Sequence, residues 1–121
     1  MDDTVNREKV LKIAEKIDEM NGIDTIALDV SGQSSWTDYF IITTVKSSAH
    51  LRGLYRNLQE VFEELGINPL WKHKKIDNEN WVLVDCGFFV IHLMDSEHRE
   101  FYNLEKLWFN SEMIYTSSKS L

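Results

Sequence analysis

Cysteine occurs once in this chain, at Cys86, so no internal disulfide can form. None is needed, because a domain of 121 residues buries roughly two-thirds of the surface its unfolded chain would expose. Cys86 lies in an apolar run and reads as a small hydrophobe; a nucleophilic role would need a histidine brought beside it by the fold. Long hydrophobic runs are also missing. No stretch reaches the roughly eighteen apolar residues of a membrane span. The acidic opening Met1-Asp2-Asp3-Thr4, followed by Arg7, Glu8 and Lys9, is unlike a secretory signal. A soluble, cytoplasmic protein is therefore expected. The five glycines form neither a GxGxxG nor a GxxxxGKS phosphate loop. Of His50, His73, His92 and His98, no two stand four residues apart, so no zinc set assembles from close neighbours. Neither metal nor cofactor is expected. Positive charge is in deficit: 13 Lys and Arg against 20 Asp and Glu leave a net charge of −7. Phosphate backbones attract positive surfaces, so little direct RNA contact is expected. A basic protein partner suits this charge better.

The remaining composition, 43% hydrophobic and 27% charged, is that of an ordinary globular domain. Val10, Ala14, Ile17 and Asn21 share one helical face, predicting a helix from about Thr4 to Met20 that ends at Asn21-Gly22, with Gly22 as a left-handed cap. Ile23 to Val30 and Tyr39 to Val45 read as an antiparallel pair of strands around the turn-rich loop Ser31 to Ser35. Ser47 caps a helix whose Leu51, Leu54, Tyr55, Leu58, Val61, Phe62 and Leu65 recur at spacings of three and four; Gly66 closes it. Ile67 to about Lys74 is predicted as a third strand, completing a crossover with parallel strands. Asp77 to Asn80 is a polar turn. Trp81 to Asp85 and Phe88 to Met94 are strands joined by a Cys86-Gly87 hairpin. Ser96 caps a short helix, and Leu104 to Trp108 form a last helical turn. The prediction is one α/β domain over residues 1–110, a mixed sheet of about five strands flanked by helices, with 111–121 as a loose polar tail.

A mixed sheet opening α-β-β-α is the order found in nucleotidyltransferases, which hold two Mg²⁺ ions on clustered carboxylates. Their signature places two aspartates one residue apart on the strand after a Gly-Ser turn. Here that strand offers Asp38 alone, with Asp29 and Asp85 as the other carboxylates that the fold could bring near. Aromatic residues are the other candidates, since Trp and Tyr anchor many interfaces. Trp108, beside Leu104 and Leu107, reads as core. Trp81 opens a strand directly after a polar turn, where an indole is expected to be half exposed. His92, inside an apolar strand, reads as a core or sheet-edge histidine.

Three blocks resemble one known family. They are Ile26-Ala27-Leu28-Asp29-Val30 leading through Ser34-Ser35 to Asp38-Tyr39-Phe40; Trp81-Val82-Leu83-Val84-Asp85-Cys86-Gly87 with Val90-Ile91-His92; and Arg99-Glu100-Phe101-Tyr102-Asn103-Leu104-Glu105-Lys106-Leu107-Trp108. In this order and spacing, over about residues 5–109, the chain is similar to the ribosomal silencing factors, the RsfS/Iojap family. The resemblance implies a nucleotidyltransferase-like fold without the catalytic carboxylates and a protein that is not an enzyme. It implies docking on the large ribosomal subunit through ribosomal protein L-fourteen, which blocks subunit joining and damps translation when nutrients are short. A homodimer is one implied state of the free protein, and organellar relatives act in ribosome assembly. By position, Trp81 matches the family's tryptophan implicated in partner contact; Asp38, Tyr39, Asp85, His92, Arg99, Glu100 and Tyr102 match other signature positions. Trp81 is thus expected as an aromatic anchor and Glu100 or Asp85 as partner to a basic side chain. Arg99 has a second reading, as a structural residue holding a carboxylate near the sheet. The chain departs from the family where Glu-Gly often stands, at Lys74 and Lys75, and where Asp commonly follows the hairpin glycine, at Phe88. The lysines reverse local charge near the expected binding edge, and Phe88 adds apolar surface suited to a dimer contact. An assembly factor and a nucleotide-binding enzyme of the same fold are the rival readings.

Overall fold

The computed structural model describes residues 3–70, 74–76, 81–108 and 110–117. The elements run α1 (Asp3–Glu19), β1 (Ile23–Asp29), β2 (Tyr39–Thr44), α2 (Ser48–Leu65), β3 (Lys74–Ile76), β4 (Trp81–Asp85), β5 (Phe89–Met94), α3 (Ser96–Tyr102), α4 (Leu104–Leu107) and β6 (Glu112–Thr116). Among the described residues the strands form one six-stranded sheet, ordered β3-β4-β5-β2-β1-β6. The β2–β5 pair is parallel and the others are antiparallel. The α/β class and the flanking helices are as the sequence predicts.

Strand side chains alternate between the two faces, and the core divides accordingly. On one face Tyr39, Ile41, Phe89, Ile91 and Leu93 meet Val10, Ile13, Ala14 and Ile17 of α1 and Leu51, Leu54, Leu58 and Phe62 of α2. On the other, Ile26, Leu28, Phe40, Ile42, Val90, Met94 and Trp81 form a second cluster, covered in part by Leu104 and Trp108. α2 starts where the Ser47 hydroxyl accepts the His50 N–H at 3.1 Å, and it ends at Gly66, whose φ of 67° is the left-handed cap.

Several local expectations are corrected. The left-handed residue after α1 is Asn21, with φ 71°. Gly22 is required for a different reason: a Cβ there would lie 2.5 Å from both Ile17 Cγ2 and Thr43 Oγ1. α3 is capped by Asp95, whose carboxylate accepts the His98 N–H at 2.8 Å, and not by Ser96. The strand predicted from Ile67 does not form there. Pro69 has no N–H to offer a ladder, and the chain stays irregular to Leu70, whose N–H donates to the Asp85 carbonyl at 2.8 Å. The parallel partner of β2 is β5, so the crossover from β2 passes through α2, β3 and β4 before returning. The expected turn at Asp77 to Asn80 lies outside the described residues.

The predicted tail is the largest correction. Glu112–Thr116 form β6, an edge strand on β1. Ile114, Tyr115 and Thr116 are strand formers, and β1 would otherwise show an unpaired edge. Ile114 and Tyr115 pack against the core, and the Tyr115 hydroxyl and Ser117 Oγ both donate to the Asp18 carboxylate of α1, the latter at 2.6 Å. Arg7 and Glu112 add a surface pair at 3.3 Å.

Candidate protein-docking site

The second sheet face carries most of the signature residues. Trp81 on β4 and His92 on β5 both point to it, one diagonal step apart in the register. Trp81 is 9% exposed, and its Nε1–H donates to His92 Nδ1 at 3.1 Å. The expectation of a half-exposed indole is therefore wrong: the hydrogen bond to His92 and the cover of α3 hold the ring inside. With Nδ1 accepting, the neutral imidazole carries its proton on Nε2, which is buried and has no hydrogen-bond partner among the described residues. Burial lowers the His92 pKa to about 4. The Phe40 ring stands edge-on to the imidazole, with centroids 5.0 Å apart, and Trp108 packs edge-on to Phe40 at 5.3 Å.

From this interior the rings run outward. Trp81 lies 4.8 Å from Tyr102, and Tyr102 lies 5.0 Å from Phe101. Tyr102 is 48% exposed and Phe101 80%. α3 buries no residue at all. A helix of seven residues here serves as a carrier of surface side chains more than as a core element.

Arg99 holds this helix to the sheet. Its Nε and Nη2 each lie 3.0 Å from Glu105 Oε2, and its Nη1 donates to Thr44 Oγ1 at 2.9 Å and to the Ile23 carbonyl at 3.4 Å. The structural reading of Arg99, holding a carboxylate beside the sheet, is the geometry observed. Beside it Glu100 is exposed, on the rim of a cleft shared with Asp24, Thr44, Ser96, Asn103 and Glu105. Asp24, in a bulge of β1, has φ 50°, which few non-glycine residues adopt.

The other signature residues lie elsewhere. Tyr39 is buried on the opposite face with α1 and α2. The Asp38 backbone receives the Val30 N–H at 2.8 Å and donates to the Phe88 carbonyl at 3.1 Å, tying the two strand entries together. Asp85 is buried, and its carboxylate accepts the Gly87 N–H at 2.9 Å, fixing the hairpin in which Gly87 has φ 88°. It is not placed to meet a partner's cation. Asp29 is occupied by Ser31, through the N–H at 3.0 Å and Oγ at 2.6 Å. Among the described residues no three of His, Cys, Asp and Glu form a group that could hold a metal ion. Cys86 is buried, and burial, with Asp85 nearby, pushes its thiol up to about 12. No helix in the described residues is long and apolar enough to cross a membrane. Sequence reasoning missed Phe101. The signal was present: α3 is too short and too polar around Phe101-Tyr102 to bury both rings.

Fold and site together define an α/β sheet domain whose exposed chemistry is aromatic and acidic. The family model described as "Ribosomal silencing factor during starvation" matches residues 3–120. A ribosomal silencing factor RsfS of Bacillus subtilis is 37% identical over 105 residues, 86% of this chain and 88% of that protein. The Haemophilus influenzae RsfS is 35% identical, over 79% and 93% of the two chains. A mouse protein named for mitochondrial assembly of the ribosomal large subunit is 34% identical over 84% of this chain and 47% of its own length. Among solved structures, a Chromobacterium violaceum protein superimposes with a TM-score of 0.77 at 26% identity, over 94% and 93% of the two chains. The chain belongs to the ribosomal silencing factor family.

Proposed function

We propose that this protein docks on the large ribosomal subunit through the protein corresponding to L-fourteen and blocks joining of the small subunit by steric exclusion, lowering translation when nutrients are short. Membership of the silencing-factor family carries the reading. The acidic net charge supports it, since a basic ribosomal protein is then a better partner than RNA phosphate. No bond is made or broken, no cofactor is used, and the protein works in the cytoplasm. A docked domain need only bury a standard interface, on the order of 1,600 Å² in total. Tyr102 and Glu100 are the most exposed of the signature side chains and meet the partner; Trp81, His92 and Arg99 act through them, by fixing α3. Asp38, Tyr39 and Asp85 keep the sheet and hairpin in shape. When free, the protein forms a homodimer, for which Leu70 and Phe88 beside the hairpin offer apolar surface.

A second reading, assembly of the large subunit, is favoured by the name of the mouse relative. One gradient experiment separates the two. Purified protein is added to mature large subunits, then small subunits follow. Comigration with large subunits and a dose-dependent fall of the joined-ribosome peak are expected. Binding to precursor particles only, with joining unaffected, would transfer the reading to assembly.

A further inference from the structure

The solvent end of the aromatic series forms a notch of its own, lined by Glu97, His98, Phe101 and Tyr102. The Phe101 and Tyr102 rings meet at 85°, forming a corner open to water. Tyr102 is backed by Trp81 and lies nearly parallel to His98, at 13° and 6.2 Å. His98 is itself tied to Asp95 at 2.8 Å. The corner is thus pre-shaped from behind, while Phe101 remains 80% exposed. The carboxylates of Glu97 and Glu100 stand on the same short helix, both exposed.

An aromatic face attracts a cation, and a carboxylate completes the recognition. A guanidinium suits this pair better than an ammonium: it is planar, stacks on rings, is weakly hydrated and binds carboxylates in a fork. Glu97 and Glu100 beside the notch, on a chain of net charge −7, oppose a nucleic acid as occupant. We propose that the notch of Glu97, His98, Phe101 and Tyr102 receives an arginine side chain of a basic protein partner, stacked on the exposed Phe101 ring with the Tyr102 ring at its edge and Glu97 or Glu100 as counter-ion. This deepens the docking reading and rests on it only for the partner being ribosomal.

Two measurements on the full chain test it. In the first, poly-arginine and poly-lysine peptides of equal length are titrated by calorimetry. Arginine should bind roughly tenfold tighter; Phe101→Ala should erase that preference, and Glu97→Gln with Glu100→Gln should weaken both peptides. Phe101→Ala should melt as wild type does, because the ring is exposed. Equal affinities, or a preference that survives Phe101→Ala, would overturn the proposal. So would a shift from dimer to monomer in sedimentation on Phe101→Ala, which would assign the notch to a second copy. The second measurement is binding to mature large subunits. There Phe101→Ala should weaken binding roughly tenfold, and wild-type affinity in that variant would overturn the notch as a contact. If the wild type itself fails to bind subunits, the ribosomal reading falls, while the peptide preference still decides the notch.

Discussion

Trp81 and His92 show how a signature residue can serve a surface without being on it. The indole N–H has one acceptor, His92 Nδ1 at 3.1 Å, and its ring supports Tyr102 at 4.8 Å. Trp81→Phe keeps much of the ring but orphans the buried imidazole nitrogen; about 1–3 kcal/mol of stability should be lost in urea unfolding. Trp81→Ala should cost more, about 3–5 kcal/mol, by opening a cavity under α3. A loss of subunit binding in that variant must be read beside its stability. His92 should also make stability pH-dependent. Its folded pKa is lowered to about 4, against 6.5 for an ordinary histidine. Well above pH 6.5 both states are neutral and the group contributes nothing to the slope. As pH falls from 6.5 toward 4 the unfolded chain takes up a proton that the folded one refuses, so stability falls. The full loss is on the order of 3 kcal/mol. Unfolding midpoints of wild type and His92→Phe across this range provide the check: the variant should lose this part of the slope, and equal slopes would show that His92 is protonated in the folded protein.

At the scale of elements, legibility followed the range of the interactions. α2, the β1–β2 pair and the β4–β5 hairpin could be read because each is defined by its own periodicity or by a turn a few residues long. β6 could not. Its strand character comes from pairing with β1, far back in the chain, and from Tyr115 and Ser117 reaching Asp18. Ile114, Tyr115 and Thr116 favour a strand locally, but their short run stands among polar residues and nothing local says which strand it would join. The same holds for the true partner of β2, which is set by sheet order. For the site, the family resemblance put forward Asp38, Tyr39, Trp81, Asp85, His92, Arg99, Glu100 and Tyr102 as one set; the structure brings Trp81, His92, Arg99, Glu100 and Tyr102 together and leaves the other three apart, and burial exposes Phe101 where Trp81 was expected. Asp18→Ala tests the attachment of β6. It removes one charged acceptor shared by two hydroxyls, in a half-buried setting, and should cost about 1–2 kcal/mol. Hydrogen exchange should then accelerate most at the β6 amides and the facing amides of β1. Uniform acceleration across the sheet would mean that β6 unfolds only with the whole domain.

For the whole molecule, charge is the property that discriminates among surfaces on a ribosome. In the proposed docking, a chain of net charge −7 approaches a particle coated with RNA phosphate and settles on a basic protein patch. Two opposed long-range terms therefore act, attraction to the patch and repulsion from the phosphates, and salt screens both within about 10 Å at 0.1 M. If the aromatic and acidic surface of α3 makes the contact, the near term dominates, and affinity for large subunits should fall as salt rises from 0.05 to 0.3 M, mainly through a slower association rate. Glu97→Gln with Glu100→Gln should flatten that dependence while leaving the melting temperature close to wild type, because both side chains are exposed. If affinity instead rises with salt, repulsion by RNA governs the encounter and the docking surface is not the acidic one. Stopped-flow association at several salt concentrations, on wild type and the double variant, separates these cases because the two terms give slopes of opposite sign.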